Sequence, residues 1–487
     1  MAPQIKYTKI FINNSWVDSV SGKTFQTINP HDGSVNAEVA EGDKADVDAA
    51  VGAAKSAFHR NSEWRLMDPS ERVKLLNKWA DLVNRDIDYL IKLETLDNGI
   101  VVQTNQRFMS VAVNAIRYNA SWADKIQGTT IPVDGEAFSY TLKQPVGVCA
   151  IIIPWNAPVL FFCSKVSAAL AAGCTVVVKP AEQTPLTALA LASLVAEAGI
   201  PPGVVNVVPG YGETAGAALT HHPDVAHISF TGSLQVGKII QQAAGANNLK
   251  RVQLELGGKS PLVVMNDADL DAAVQFAALG VFTNQGQMCI AASRLFVQSG
   301  IYDEFVKRAS EFAKSLVVGK PLDLKTQHGP QIDENLMNRV LGYIEKGVSE
   351  GAKLLTGGKR IGKTGYYVEP TVFSDVTDDM TIAVEEIFGP VQNILKFETF
   401  EEVIERANAT NYGLAAGIFT SSVETALQFS KHIEAGIVWV NTYLHFGSQL
   451  PFGGFKDSGI GRENGPNGVE AYLELKTVIM KLSKKLQ

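Results

Sequence analysis

The chain is predicted to fold as a two-part α/β protein led by a doubly wound parallel sheet of the nucleotide-binding type. Three observations predict it. Apolar strands alternate with helices between residues 146 and 256. Those strands are continuously apolar, as strands covered on both faces must be. Pro and Gly punctuate the helices at their starts and ends. In order, a strand over 146–153 runs into a helix opened by Pro158 and closed by Gly173. A strand over 175–178 precedes a helix with Thr184 as N-cap, Pro185 at its first position and Gly199 beyond its end. A strand over 204–208, a short helix, a strand over 227–230 and a helix from Ser233 complete the unit. A second α/β unit starts near Pro261, with a helix from about Asp269 and a strand over 295–298. Asp267, Asp269 and Asp271 read as an acidic helix start. A calcium loop would need Gly where Ala272 stands and Glu where Ala278 stands, so no metal is expected. Segments 138–142 and 473–477 alternate with period two outside both units, and predict strands that pair with each other or with another subunit.

Composition narrows the function classes. The chain has 487 residues, 43 Lys+Arg and 50 Asp+Glu, a formal net charge of −7, which argues against a nucleic-acid partner. An apolar fraction of 46% is that of an ordinary globular protein, and four cysteines are too few for a disulfide framework. The opening residues lack the apolar core of a secretory leader, and no run approaches a membrane span. The C-terminal residues 484–487 match no address signal. A cytoplasmic protein is the default expectation.

Four places carry chemistry. Cys289 sits in Asn284-Gln-Gly-Gln-Met-Cys-Ile-Ala-Ala-Ser-Arg294, after a polar Gly-containing loop that suits an accessible thiolate. Cys149, Cys163 and Cys174 lie in apolar strands or helices and read as core. Glu255, in Leu254-Glu-Leu-Gly-Gly-Lys-Ser-Pro261, is either a satisfied core carboxylate or a tuned base; Gly257 and Gly258 would let the backbone approach a ligand. Asn156, in Pro154-Trp-Asn-Ala-Pro158, stands where open α/β sheets bind ligands and could donate to an oxyanion, or simply form an Asx turn. Gly232, Ser233 and Gly237 follow a strand and open a helix, which offers free N–H groups to a pyrophosphate. That loop is neither the Rossmann nor the Walker pattern, and Gly210, Gly212 and Gly216 miss the Rossmann spacing by one residue.

In that order over one stretch, these four places resemble the aldehyde dehydrogenase superfamily. The likeness extends to Val178-Lys179-Pro-Ala-Glu182-Gln-Thr-Pro185, Glu385-Glu386-Ile-Phe388-Gly-Pro390, Asn411-Tyr-Gly-Leu414 and Pro451-Phe-Gly-Gly-Phe-Lys456, and so covers nearly the whole chain. The branch it is most similar to is the NAD-dependent aldehyde and retinal dehydrogenases. The resemblance implies that Cys289 attacks the aldehyde carbon, with the oxyanion held by the Asn156 amide and the Cys289 N–H. It implies a thioester that Glu255 hydrolyses through water, with Lys165 and Glu463 relaying the proton. It places NAD on Lys179 and Glu182 (adenosine ribose), on Trp155, Gly232, Ser233 and Gly237 (pyrophosphate region), and on Gly257, Glu386 and Phe388 (nicotinamide side). Glu182 repels a 2′-phosphate, which makes NADP the less favoured cofactor.

The departures from the branch surround the substrate. Ala157 stands where Phe is frequent, and Ser164 at a tryptophan position. Phe161, Met288, Ile290 and Phe446 keep the lining apolar. A widened apolar tunnel is expected, suited to long-chain, isoprenoid or retinal-like aldehydes, unless Phe161 refills the space. The rival readings are a structural, crystallin-like NAD-binding protein and a CoA-acylating enzyme; the intact Cys289 and Glu255 weigh against them. The family further implies a cofactor domain over 1–122 and 146–257, a catalytic domain over 258–457, and an oligomerisation region over 123–145 and 458–487 of a homotetramer built as a dimer of dimers.

Overall fold

A computed structural model describes residues 3–483; residues 484–487, read above for an address signal, lie outside the described residues. The first sheet holds five parallel strands: Val148–Ile152, Thr175–Lys179, Val205–Val207, Val225–Thr231 and Arg251–Glu255. Counted along the chain their spatial order is third, second, first, fourth, fifth, so the winding reverses between the first and fourth strands. That reversal opens a crevice at their carboxyl ends, where ligands of such sheets bind. Antiparallel pieces finish both edges: Ile10–Ile12 on Val205–Val207, and Gly459–Ile460 on Arg251–Glu255.

The helix boundaries follow the predicted punctuation. Pro158–Ala172 ends at Gly173 with φ 89°, and Leu186–Ala198 ends at Gly199 with φ 90°, left-handed positions that glycine adopts without strain. Ser233 caps Leu234–Ala246 through its side chain, and Asp269 likewise caps Leu270–Phe282. One cap differs. Helix Leu186–Ala198 has Pro185 at the cap position and no cap from Thr184. Instead Asp97 accepts from the Leu186 N–H at 3.1 Å, so a residue distant in sequence satisfies the helix start.

The second sheet orders Lys353–Thr356, Thr371–Ser374, Val391–Phe397, Arg294–Gln298, Pro261–Val264, Ala415–Phe419 and Ile437–Val440. All its neighbours are parallel except Lys353–Thr356 on Thr371–Ser374. A third, small sheet pairs Ala137–Pro145 with Leu473–Lys481 over nine residues, antiparallel from Leu473↔Pro145 to Lys481↔Ala137. The two alternating segments therefore pair with each other within one chain. Among the described residues no helix is long and apolar enough to cross a membrane.

Candidate active site

The chain leaves the first sheet at Glu255 and enters the second at Pro261 through five residues. The carboxyl ends of one parallel sheet therefore face the amino ends of the other. Asn156 follows Val148–Ile152, Gly232 and Ser233 follow Val225–Thr231, and Glu255 ends Arg251–Glu255. Cys289 precedes Arg294–Gln298, and Glu386 precedes Val391–Phe397. Gly258 lies so close to the Cys289 loop that a Cβ there would stand 2.3 Å from the Cys289 carbonyl oxygen.

The loop that presents Cys289 is strained. Asn284, Gln285 and Gly286 take φ of 51°, 57° and 74°, three consecutive left-handed residues of which only one is glycine. Asn156 and this loop hold each other: the Asn156 amide donates to the Gln287 carbonyl at 2.9 Å, and the Asn284 amide donates to the Asn156 carbonyl at 2.9 Å. The Gln287 side chain accepts from the Ile332 N–H at 2.9 Å, and the Gln331 amide donates to the Gln285 carbonyl at 3.3 Å. A network this tied can sustain an unfavourable backbone.

Cys289 is partly exposed, whereas Cys149, Cys163 and Cys174 are fully buried. It opens into an apolar cavity, open at its mouth, whose wall includes Asn156, Ala157, Phe161, Ser164, Met288, Ile290, Phe446 and Glu463. All six tunnel residues predicted from sequence are thus on one wall with the thiol. The sequence reading missed Phe108, Val111 and Ala115, which line the same cavity from helix Val102–Ala120. Their helical spacing was the available signal, but it looks identical to ordinary core packing.

Burial pushes the Cys289 thiol up, and the charges of Glu255 and Glu386 push it further; the N–H groups of Cys289 and Ile290 pull the other way. Glu255 is 1% exposed, and neither carboxylate oxygen has a partner among the described residues. Burial pushes it well above the usual carboxylate range, Glu463 adds to this, and Lys165 and Arg462 oppose it. Glu463 is ion-paired with Lys165, whose Nζ also donates to Ser229 Oγ at 3.0 Å.

The second cluster lies across the crevice. Glu386 accepts from the Gly258 N–H at 3.0 Å and is pushed up to about 7, chiefly by burial. A Cβ at Gly257 would sit 2.3 Å from Glu386 Oε2, so glycine there is a steric requirement. Phe388, with φ 58°, packs edge-on against Trp155 at 5.4 Å between ring centroids. Lys179 is buried and meets Glu182 at 3.2 Å. A Cβ at Gly232 would stand 2.4 Å from the Phe230 ring, and one at Gly237 2.6 Å from Leu256. Both glycines let the start of helix Leu234–Ala246 pack close to the strands Val225–Thr231 and Arg251–Glu255.

The residue pattern that describes the aldehyde dehydrogenase family matches residues 16–478. The chain belongs to that family. It is 58% identical over 483 residues to aldehyde dehydrogenase 1A1 of Mesocricetus auratus, covering 99% of this chain and 96% of that protein. It has the same identity and coverage with aldehyde dehydrogenase, cytosolic 1 of Rattus norvegicus. Among solved structures, an NAD+ complex of aldehyde dehydrogenase from Bacillus cereus superposes with a TM-score of 0.97 at 46% identity, over 98% of this chain and 97% of that one. The aldehyde dehydrogenase fold accounts for the crevice between the two sheets. It does not by itself say which side chains this member uses.

Proposed function

We propose that this aldehyde dehydrogenase oxidises long-chain, isoprenoid or retinal-like aldehydes to carboxylic acids, using NAD and a thioester on Cys289. The observation that carries the reading is the apolar cavity that ends at Cys289, with Ala157 and Ser164 in place of bulky wall residues. The other crevice residues fit NAD: the glycine-opened helix start suits a pyrophosphate, and the Glu386 and Glu182 carboxylates suit ribose hydroxyls. Glu182 also disfavours the extra phosphate of NADP.

Cys289 first gives its thiol proton to water and, as the thiolate, bonds through Sγ to the aldehyde carbon, giving a thiohemiacetal whose oxyanion is met by the Asn156 amide and the Cys289 N–H. NAD, when bound, supplies the hydride acceptor that turns the thiohemiacetal into a thioester. Glu255, in its ionised form, then takes a proton from a water as the water oxygen bonds to the acyl carbon, the C–S bond breaks and the thiolate leaves. Lys165 and Glu463 pass that proton outward. The Asn156 amide is held against the Cys289 loop by its bond to the Gln287 carbonyl, which leaves its second N–H for the oxyanion.

Two further elements of the reading concern assembly and place. Leu473–Lys481 is an edge strand with Leu475 and Ile479 exposed, which supports pairing with a second copy in a homotetramer. A cytosolic location rests on likeness to relatives named cytosolic.

NADH formation from NAD with decanal and with acetaldehyde, beside the Cys289→Ala variant, tests the function. Turnover favouring decanal and abolished in the variant is expected. A wild type that binds NAD yet oxidises neither aldehyde would refute it and return the structural, crystallin-like reading. CoA-dependent acyl transfer would refute the hydrolytic step.

A further inference from the structure

A polar stripe runs along one buried face of the first sheet. Ser229 is in register with Gln253 on the next strand, and Thr231 with Glu255. Side chains alternate along a strand, so His227, Ser229 and Thr231 share a face with Gln253 and Glu255. All five residues are buried. Within the stripe, Thr231 Oγ1, Gln253 Oε1, both Glu255 oxygens and both His227 ring nitrogens lack a protein partner among the described residues. Buried polar atoms of this kind are ordinarily satisfied by ordered water. Lys165 reaches the stripe from helix Pro158–Ala172. Its side chain is 1% exposed, with Glu463 on one side and Ser229 Oγ at 3.0 Å on the other. Lys165, Gln253, Glu463 and Tyr472 also border a small cavity with room for about one water, which shares Ser164, Glu463 and Asn464 with the cavity at Cys289.

We propose that Ser229 is a positioning residue for thioester hydrolysis: its hydroxyl fixes the Lys165 ammonium beside Glu463, on the polar side of Glu255. A lysine side chain has four rotatable bonds, and one ion pair leaves its head free to swing. The second acceptor removes that freedom. It also keeps Lys165 from crossing toward Glu255 and locking the base into an ion pair. The inference rests on the proposed roles of Glu255, Lys165 and Glu463.

The test compares Ser229→Ala, Ser229→Thr and Glu463→Gln in the full-length enzyme with decanal and NAD. Ser229→Ala should lower kcat about tenfold, a typical size for one lost hydrogen bond to a charged group. KM for decanal and Kd for NAD should stay within about twofold of wild type. The first-turnover burst of NADH should persist, and intact-mass spectrometry should find acylated Cys289 accumulating during turnover. Ser229→Thr, which keeps the hydroxyl, should restore kcat. If Glu463→Gln slows hydrolysis while Ser229→Ala does not, the role of Ser229 is overturned and the relay stands. If Glu463→Gln leaves hydrolysis intact, the relay reading falls and the proposal with it. A Ser229→Ala enzyme that loses burst and steady rate together would also overturn it.

Discussion

Ala157→Phe puts a ring into the cavity wall beside Cys289. Ala157 is 4% exposed and begins the turn into helix Pro158–Ala172, so its Cβ meets the cavity close to Asn156 and Cys289. A phenyl group there displaces roughly three methylenes of a chain that extends outward from the thiol. Each buried methylene contributes about 0.8 kcal/mol, so about 2.4 kcal/mol of binding is lost for a ten-carbon aldehyde. Acetaldehyde, which reaches none of that wall, loses nothing. The ratio of kcat/KM for decanal over acetaldehyde should therefore fall roughly fifty-fold, at about 1.36 kcal/mol per decade. The assay is initial-rate NADH formation at saturating NAD over a chain-length series from two to twelve carbons. A wild-type profile that climbs with length, flattened in the variant, is expected. A variant whose ratio matches wild type would show that Phe161 already closes the space, and the wide-channel argument would be refuted.

Other consequences are as direct. Glu255→Gln should cut steady turnover by about 10²–10⁴ while the NADH burst survives, because a lost general base affects hydrolysis alone; stopped-flow traces separate the phases. Burial holds Glu386 at about 7, so acidification removes the carboxylate that accepts from a ribose hydroxyl, and binding NAD favours the ionised form. NAD affinity should thus fall about tenfold from pH 8 to pH 6 and be flat in Glu386→Gln, as read by tryptophan fluorescence. Gly286→Ala places a Cβ 2.0 Å from the Gly389 carbonyl oxygen at φ 74°, and should cost about 2 kcal/mol or more in urea unfolding. Unchanged stability would mean that the loop relaxes easily and stores no strain.

The parts of this molecule that were legible in the sequence are those set by local chemistry. Pro158, Gly173, Gly199, Ser233 and Asp269 mark helix ends because their backbone or side chain suits only such places. With those ends fixed, Asn156, Ser233 and Glu255 fall at the carboxyl ends of neighbouring strands. The unread parts depend on partners far along the chain. Thr184 is a good cap by composition, yet Asp97 occupies that role. Nothing local announces that Asn284 and Gln285 adopt left-handed conformations, since Gln331, Ile332 and Asn156 impose them. Phe108, Val111 and Ala115 become channel wall only because helix Val102–Ala120 packs beside helix Pro158–Ala172, a contact without a sequence signature. Ser229 and Gln253 acquire meaning only through the register of adjacent strands.

The five-residue crossing between the two sheets has a consequence for partial unfolding. Cys289 and Glu255 belong to different sheets, one before Arg294–Gln298 and the other ending Arg251–Glu255, so parting the two layers separates the thiol from the carboxylate. Partial melting is therefore expected to end steady turnover before the thiol itself is lost, which a thiol titration run beside the NADH assay during urea unfolding would read.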